Sequence, residues 1–309
     1  MIKHVFIGSS VYAIPALELL CENGMPPVLV ISQPDKPAGR NLRPTPTPVS
    51  EYALSHSLSL IRPENINKHV DEIALLQPDI LITASYGGFI GKKLRHLAPG
   101  KAINLHPSLL PRYRGASPIQ SALLAGDKLS GTTIFRLSAT MDAGPVIAQE
   151  SLRILENENY SALQLRLAQQ AAQMLLSLLQ KQPLPFAEDA QDAAQATLCP
   201  KVDSSLCQIS WKNPALAIQN KIRAFSWEPG AWTYFRGNKL KLLEALILPE
   251  KPSGECGTIG SVIKNKGFTV NCLDCQILIC LVQAAGKKIM EASAFVNGAR
   301  LSAGEKLWM

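Results

Sequence analysis

The sequence predicts an α/β protein in which a mostly parallel sheet with helices on both faces is followed by a smaller β-barrel. Three observations predict it. Continuous apolar runs alternate with stretches of helical period through the first half of the chain and beyond. An acidic, Ala- and Gln-rich stretch at 183–208, opening Pro-Leu-Pro, then breaks the pattern. Beyond it, short β-like runs recur with Gly-containing turns between several of them.

Residues 4–8 read as a buried strand, and 13–23 as a helix with Pro15 in its first turn and Gly24 past its end. A second apolar run at 28–32 leads into a Pro-rich loop at 34–48. Helical patterns follow at 49–57 and 69–76, and apolar runs at 79–84 and 101–105. After residue 115 come a short helix and strand-like runs at 131–138 and 145–153. A long helix spans 159–181, with Leu163, Leu167, Met174 and Leu178 on one side. In the last third, β-like runs fall at 231–236, 239–247, 258–264, 267–273, 276–283 and 287–290. The predicted fold class is therefore α/β: an N-terminal Rossmann-like sheet plus a C-terminal OB-like β-barrel. The expected division is 1–182 for the first domain, 183–208 for a linker and 209–309 for the barrel.

The composition, 47% apolar and 18% charged, supplies ample material for a core. No apolar run approaches the ~18–20 residues of a membrane span, and the N-terminus reads as a first strand rather than an export signal. The expected location is cytoplasmic. Seven cysteines in such a chain predict buried thiols and no disulfides. Cys272 and Cys275 form a C-x-x-C, but no second pair accompanies it and all five histidines lie at or before His106, so no metal site is expected. Neither a P-loop nor G-x-G-x-x-G occurs, which leaves ATP and NAD sites unsupported. The net charge is +7, and residues 209–309 carry 13 Lys/Arg against seven Asp/Glu. That balance suits a polyanionic partner or, equally, a solvated basic surface.

The densest chemistry lies in Asn104-Leu105-His106-Pro107-Ser108-Leu109-Leu110-Pro111-Arg112-Tyr113-Arg114-Gly115. Carboxyl ends of parallel strands are where ligand sites form. Asn104 and His106, two apart, share a face of an extended strand, and Pro107 and Pro111 stiffen the chain beyond them. The competing reading is that both side chains bond loop backbone. Asp142, in Met141-Asp142-Ala143-Gly144-Pro145, reads either as a plain turn residue or as a partner that orients His106 and raises its pKa.

Asn-x-His-Pro-Ser-Leu-Leu-Pro with a downstream Asp-x-Gly resembles the folate-dependent formyltransferases. Arg112-Tyr113-Arg114-Gly115-Ala116-Ser117-Pro118-Ile119-Gln120, the stretch from Gln33 to Arg40 with Pro46, Pro48 and Val49 after it, Ala84-Ser85-Tyr86-Gly87 and Ile222-Arg223-Ala224-Phe225 resemble the branch of that family whose acceptor is a methionyl-initiator tRNA. The likeness is strong to about residue 150 and weak after 240. Departures are Ala143 where Thr is usual, Tyr113 for Trp, Ser9-Ser10 for Thr-Pro, and Arg-Asn-Leu-Arg at 40–43 where the family often has a run of Lys.

The resemblance implies 10-formyltetrahydrofolate as formyl donor, translation initiation as the setting, no metal, and a monomer. It assigns catalysis to Asn104, His106 and Asp142. A protonated His106 and the Asn104 amide would donate hydrogen bonds to the developing oxyanion, while Asp142 keeps His106 charged and takes the amine's proton. Ser108, Leu109, Leu110 and Pro111 would line the folate site, or else form a turn over the core. Phe89 and Ile90 would pack near the pterin, or else in the core. Lys36, Arg40 and Arg43 would meet tRNA phosphates, with the barrel as a second tRNA-binding surface carrying Lys239/Lys241, Lys264/Lys266 and Lys287/Lys288. The alternatives are an amino-sugar N-formyltransferase using the same donor and a non-enzymatic RNA-binding protein. The second would have no need of Asn104, His106 and Asp142 together.

Overall fold

A computed structural model describes residues 2–38, 43–181 and 183–308. In chain order the first elements are β1 (His4–Gly8), α1 (Ile14–Glu22), β2 (Leu29–Ile31), β3 (Lys36–Ala38), β4 (Arg43–Thr45), α2 (Pro48–Ser55), β5 (Leu60–Ile61), α3 (Val70–Leu75), β6 (Ile80–Ala84), α4 (Lys92–Arg95) and β7 (Ala102–His106). After them come β8 (Arg114–Gly115), α5 (Pro118–Ala125), β9 (Leu129–Arg136), β10 (Val146–Arg153), α6 (Tyr160–Lys181) and β11 (Leu198–Cys199). The last third holds α7 (Ala215–Ala224), β12 (Ala231–Phe235), β13 (Asn238–Leu248), β14 (Ile259–Ile263), β15 (Gly267–Asn271), β16 (Gln276–Ala284), β17 (Met290–Glu291), α8 (Ala292–Ala299) and β18 (Leu307–Trp308).

The chain folds as two compact units. The first comprises Met1–Pro118, Leu129–Arg153 and Gln164–Cys199; the second comprises Ile119–Lys128, Ile154–Leu163 and Pro200–Met309. The stretch expected as a linker divides at Cys199. Before that point it pairs with the first unit, through Asp189 to Val146 and through β11 to β8.

The first unit is built on a seven-stranded sheet in the order β10-β9-β7-β6-β1-β2-β5. Pairings from β5 across to β7 are parallel, and β9 and β10 close the other edge antiparallel. Every residue of β1 and β6 is buried, as strands covered on both faces require. Helix starts obey local chemistry: Pro15 opens α1, and Pro48 opens α2 behind Thr47, whose hydroxyl accepts the Ser50 amide at 3.1 Å. The Pro-rich loop contains a short antiparallel ribbon with Pro37 opposite Pro44. Proline is tolerated there because a two-stranded ribbon leaves outward amides that need no partner.

β1 also places a histidine in the core. Burial pulls the His4 imidazole from its usual 6.5 down to about 4, against a smaller opposing pull from the Ile2 backbone. The folded ring therefore refuses a proton that the unfolded chain takes up. Stability from this residue is intact above pH 6.5 and is lost as the pH falls toward 4, by roughly 3 kcal/mol. Urea melts of wild type and His4→Leu at pH 7.5 and 4.5 check this. The gap between the two pH values should shrink in the variant, and an equal acid loss in both proteins would remove His4 as the cause.

In the second unit, seven strands form an antiparallel sheet, β14-β15-β16-β13-β12-β18, with β17 beside β16. Its ends meet: the Ile259 amide donates to the Glu305 carbonyl and the Leu307 amide to the Gly257 carbonyl, each at 2.8 Å. The sheet curls on itself, consistent with the small barrel that the strand spacing predicts. Ile218 and Ile222 from α7, Phe225 just past its end, and Phe295 and Val296 from α8 enter its core. Neither helix was expected from the sequence. The β-like run at 287–290 survives only as Met290–Glu291.

Candidate active site

The site forms at the carboxyl ends of β6 and β7, on the side of β1 where the sheet order reverses. Register sets Asn104 beside Thr83 and His106 beside Thr133. The Thr83 hydroxyl lies 2.7 Å from Asn104 Oδ1 and 2.8 Å from the Ile103 carbonyl and shares its one proton between them; with Oδ1 turned to Thr83, the Asn104 NH₂ is the end left to serve a ligand.

Beyond His106 the chain is bolted to β9 and β10. The Thr133 hydroxyl donates to the Ser108 carbonyl at 2.6 Å and accepts the Leu110 amide at 3.1 Å and the Gln149 amide at 2.8 Å. Ser108 Oγ donates to the Arg112 carbonyl at 2.7 Å, closing the turn. Ser108 and Leu110 are buried; Leu109 and Pro111 are half-buried. Tyr113 sits at φ +60°, and the turn delivers its carbonyl to His106 Nε2 at 2.9 Å. A carbonyl only accepts, so Nε2 carries the proton.

Asp142 comes from the turn after β9, at φ +50°. Its Oδ2 accepts the Gly115 amide at 2.8 Å and lies 3.8 Å from His106 Nδ1. Gly115 adopts φ +127°, and a β-carbon there would fall 2.4 Å from the Cys199 carbonyl oxygen, so no side chain fits. The structure thus joins Asn104, His106 and Asp142, the three residues singled out in the sequence.

The electrostatics differ from the expectation. Burial lowers the His106 pKa below the usual imidazole value, and the opposing pull of Asp142 and of the Tyr113 carbonyl is too weak to reverse it. The resting ring is neutral at pH 7, with Nδ1 unprotonated and facing the carboxylate. Asp142 lies beyond hydrogen-bond reach, so desolvation wins.

Around the centre, Ile90 is buried in the apolar cluster with Val5 and Ile7, whereas Phe89 is 73% exposed. Lys36 and Arg43 are exposed on the β3–β4 ribbon, and Arg40 lies outside the described residues. Among the described residues no group of three or more His, Cys, Asp or Glu is arranged to hold a metal. Burial pushes the Cys272 thiol up to about 12. The sequence reading missed Thr83 and Gln191. Thr83 had a signal, being the one polar residue in the otherwise apolar β6; Gln191, in a stretch rich in Gln and Ala, had none.

Residues 3–179 match the Formyl transferase family, and residues 201–300 match the Formyl transferase, C-terminal domain family. The chain belongs to the formyltransferase family. It is a formyl-transferring enzyme by that membership, and the likeness of its motifs to that family is borne out. This formyltransferase is 38% identical over 299 residues, 97% of each chain, to a methionyl-tRNA formyltransferase of Pseudothermotoga lettingae. It is 37% identical over 306 residues to one of Syntrophomonas wolfei, covering 97% of this chain and 96% of that one. Among solved structures it is similar in fold to the N-formyltransferase of Helicobacter canadensis in complex with folinic acid and dTDP-3-aminofucose, with TM-score 0.68, 18% identity and coverage of 92% and 100%. It is also similar to HypX of Aquifex aeolicus in complex with tetrahydrofolic acid, with TM-score 0.69, 16% identity and 98% of this chain covered. The formyltransferase spans 48% of the length of HypX. No described helix is long and apolar enough to cross a membrane.

Proposed function

We propose that this formyltransferase moves the formyl group of 10-formyltetrahydrofolate onto the α-amine of methionyl-initiator tRNA. The convergence of Asn104, His106 and Asp142 at one strand end carries the reaction. Full-length similarity to methionyl-tRNA formyltransferases supports the acceptor. The amine nitrogen attacks the formyl carbon, and negative charge gathers on the formyl oxygen. The Asn104 NH₂, turned outward by Thr83, donates to that oxygen. His106 Nδ1, unprotonated at rest, takes the proton that the amine releases, and the resulting imidazolium is stabilised by Asp142 beside it. The bond from the formyl carbon to the folate nitrogen then breaks, and the proton passes to that leaving nitrogen.

Folate would sit against the Ser108–Pro111 turn, which is held rigidly by Thr133, with exposed Phe89 offering an apolar face. For the tRNA, Lys36 and Arg43 on the ribbon, with Arg40, supply one set of phosphate contacts. The second unit supplies another: Lys239 and Lys241 lie on β13 opposite Tyr234 and Trp232, and Lys239 Nζ rests 4.1 Å from the Trp232 ring centroid. A basic face with half-buried Trp232 and exposed Tyr234 between its lysines suits nucleic acid.

The test is formyl transfer by purified protein from 10-formyltetrahydrofolate to methionyl-initiator tRNA, with a dTDP-amino sugar as the rival acceptor. Transfer to tRNA is expected, with an apparent KM that climbs steeply with salt. A triple change at Lys36, Arg40 and Arg43 should flatten the log–log salt slope by roughly 2–3. Transfer only to the sugar would overturn the acceptor, and an unchanged slope would remove the ribbon from the tRNA contact.

A further inference from the structure

Asp142 stands in a turn with few local restraints, yet its carboxylate must keep its place beside His106. Within the turn, the Ser138 hydroxyl donates to the Thr140 carbonyl at 2.7 Å and the Ala143 amide to the same carbonyl at 3.3 Å. Further hold comes from the Arg136 amide on the Pro145 carbonyl at 2.9 Å, from the Gly115 amide on the Asp142 carboxylate at 2.8 Å, and from the strap formed by residues 183–199. The strap is tied at Asp189 to Val146, at Thr197 to Arg114, and at Cys199 to Ala116, each by backbone hydrogen bonds of 2.7–2.8 Å.

Midway along the strap, Gln191 bridges the two loops of the site. Its Oε1 accepts from Arg114 Nε at 3.0 Å and Nη2 at 2.7 Å. Its Nε2 donates to the Asp142 carbonyl at 2.9 Å and to the Gly144 carbonyl at 2.6 Å. Both lone pairs and both hydrogens of the amide are therefore committed. One side of the bridge adjoins Gly115, whose amide holds the Asp142 carboxylate; the other holds the backbone of Asp142 itself.

We infer that Gln191 is a positioning residue that clamps the Asp142 turn to the Arg114–Gly115 segment and so sets the distance from the Asp142 carboxylate to His106 Nδ1. The inference rests on the proposed roles of His106 and Asp142. Its physical consequence does not require catalysis. The carboxylate is what favours the protonated ring, against burial. Releasing the turn lets the carboxylate recede, and the ring becomes harder to protonate. The groups bearing on His106 are Asp142, the Tyr113 carbonyl on its own loop and the phenyl edge of Phe135 on β9; the Cys199 thiol on β11 shares the Tyr113 carbonyl at 3.1 Å, and burial keeps that thiol protonated.

The test uses the full-length protein with ¹⁵N-histidine label and follows the His106 ring by NMR from pH 8 to pH 4. Gln191→Met keeps the length and loses the amide. The His106 midpoint should fall by about half a pH unit or more, in the direction of Asp142→Asn. In formyl transfer, kcat should fall about ten- to hundredfold while KM for folate stays within about twofold, since an ångström of misplacement costs up to about 10² in rate. Should Gln191→Met fail to fold, Gln191→Asn serves; its amide cannot span both loops, and the same two shifts are expected. An unmoved midpoint in a folded variant overturns the clamp. A lowered midpoint with unchanged kcat supports the clamp and instead overturns the catalytic reading of His106.

Discussion

Replacing His106 with alanine is expected to lower kcat for formyl transfer by about 10²–10⁴, the usual contribution of a positioned general base. Two losses combine in that figure. Nδ1 no longer receives the proton of the attacking amine, and the imidazolium that would pair with Asp142 never forms. Binding of either substrate should change little, because the proton transfer to His106 is made only in the transition state. The pH profile carries further information. The unprotonated ring is the working form, and burial holds its pKa below 6.5. In wild type, kcat/KM should fall below the ordinary pKa of the substrate α-amine, which attacks only when unprotonated, and fall more steeply as the pH drops through the lowered His106 value; only this second limb should disappear from the residual rate of H106A. The same shift acts on stability. Between pH 6.5 and the lowered value the unfolded chain binds a proton that the folded one does not, so stability declines as the pH falls through that window. Stopped assays from pH 5 to pH 8.5 on both proteins decide the matter. A rate in H106A within threefold of wild type would sink the assignment.

Gly144→Ala should be nearly as damaging without touching a reacting atom. A β-carbon built at Gly144 falls on the Arg136 carbonyl oxygen at 1.7 Å, an overlap that no adjustment of side chains relieves. The turn must move by an ångström or more, carrying Asp142 away from His106 and pulling the Gly144 carbonyl off Gln191. The Arg136 backbone is itself held, its amide on the Pro145 carbonyl at 2.9 Å and its residue paired with Ile103 across β7 and β9. The expected result is a fall in kcat of about 10² with a lowered thermal midpoint. By contrast, Gly286→Ala, at a turn with open space around the α-carbon, should cost only the strain of its positive φ and leave kcat alone. Equal kcat values for the two variants would show that the Asp142 turn tolerates displacement.

Much of this molecule was legible as sequence because its signals are local. β1 and β6 are unbroken apolar runs, and α6 repeats its apolar residues at helical spacing, with Leu163, Leu167, Met174 and Leu178 all buried. Asn104 and His106 declare a shared face through the two-residue period of a strand. Where local signals were weak the reading failed. α7, Ala-Leu-Ala-Ile-Gln-Asn-Lys-Ile-Arg-Ala, is short and has no local capping side chain, its first amide being met by Asp274 from far along the chain, and α8 begins directly at the end of β17 and contains Gly298.

By itself the sequence determined the α/β class, the barrel after it and the family, and it singled out the three residues proposed for the centre. Tertiary structure alone decided how those residues are held and in what protonation state. Asp142 reaches His106 because β9 runs back antiparallel beside β7, and Gln191 reaches both loops from a stretch with no pattern of its own. The expected imidazolium became a neutral ring because desolvation depends on everything packed around His106, not on the carboxylate alone. Hydrophobic period and turn chemistry are properties of neighbours in the chain. Burial and the meeting of donors with acceptors are properties of neighbours in space, and they exist only once the chain has folded.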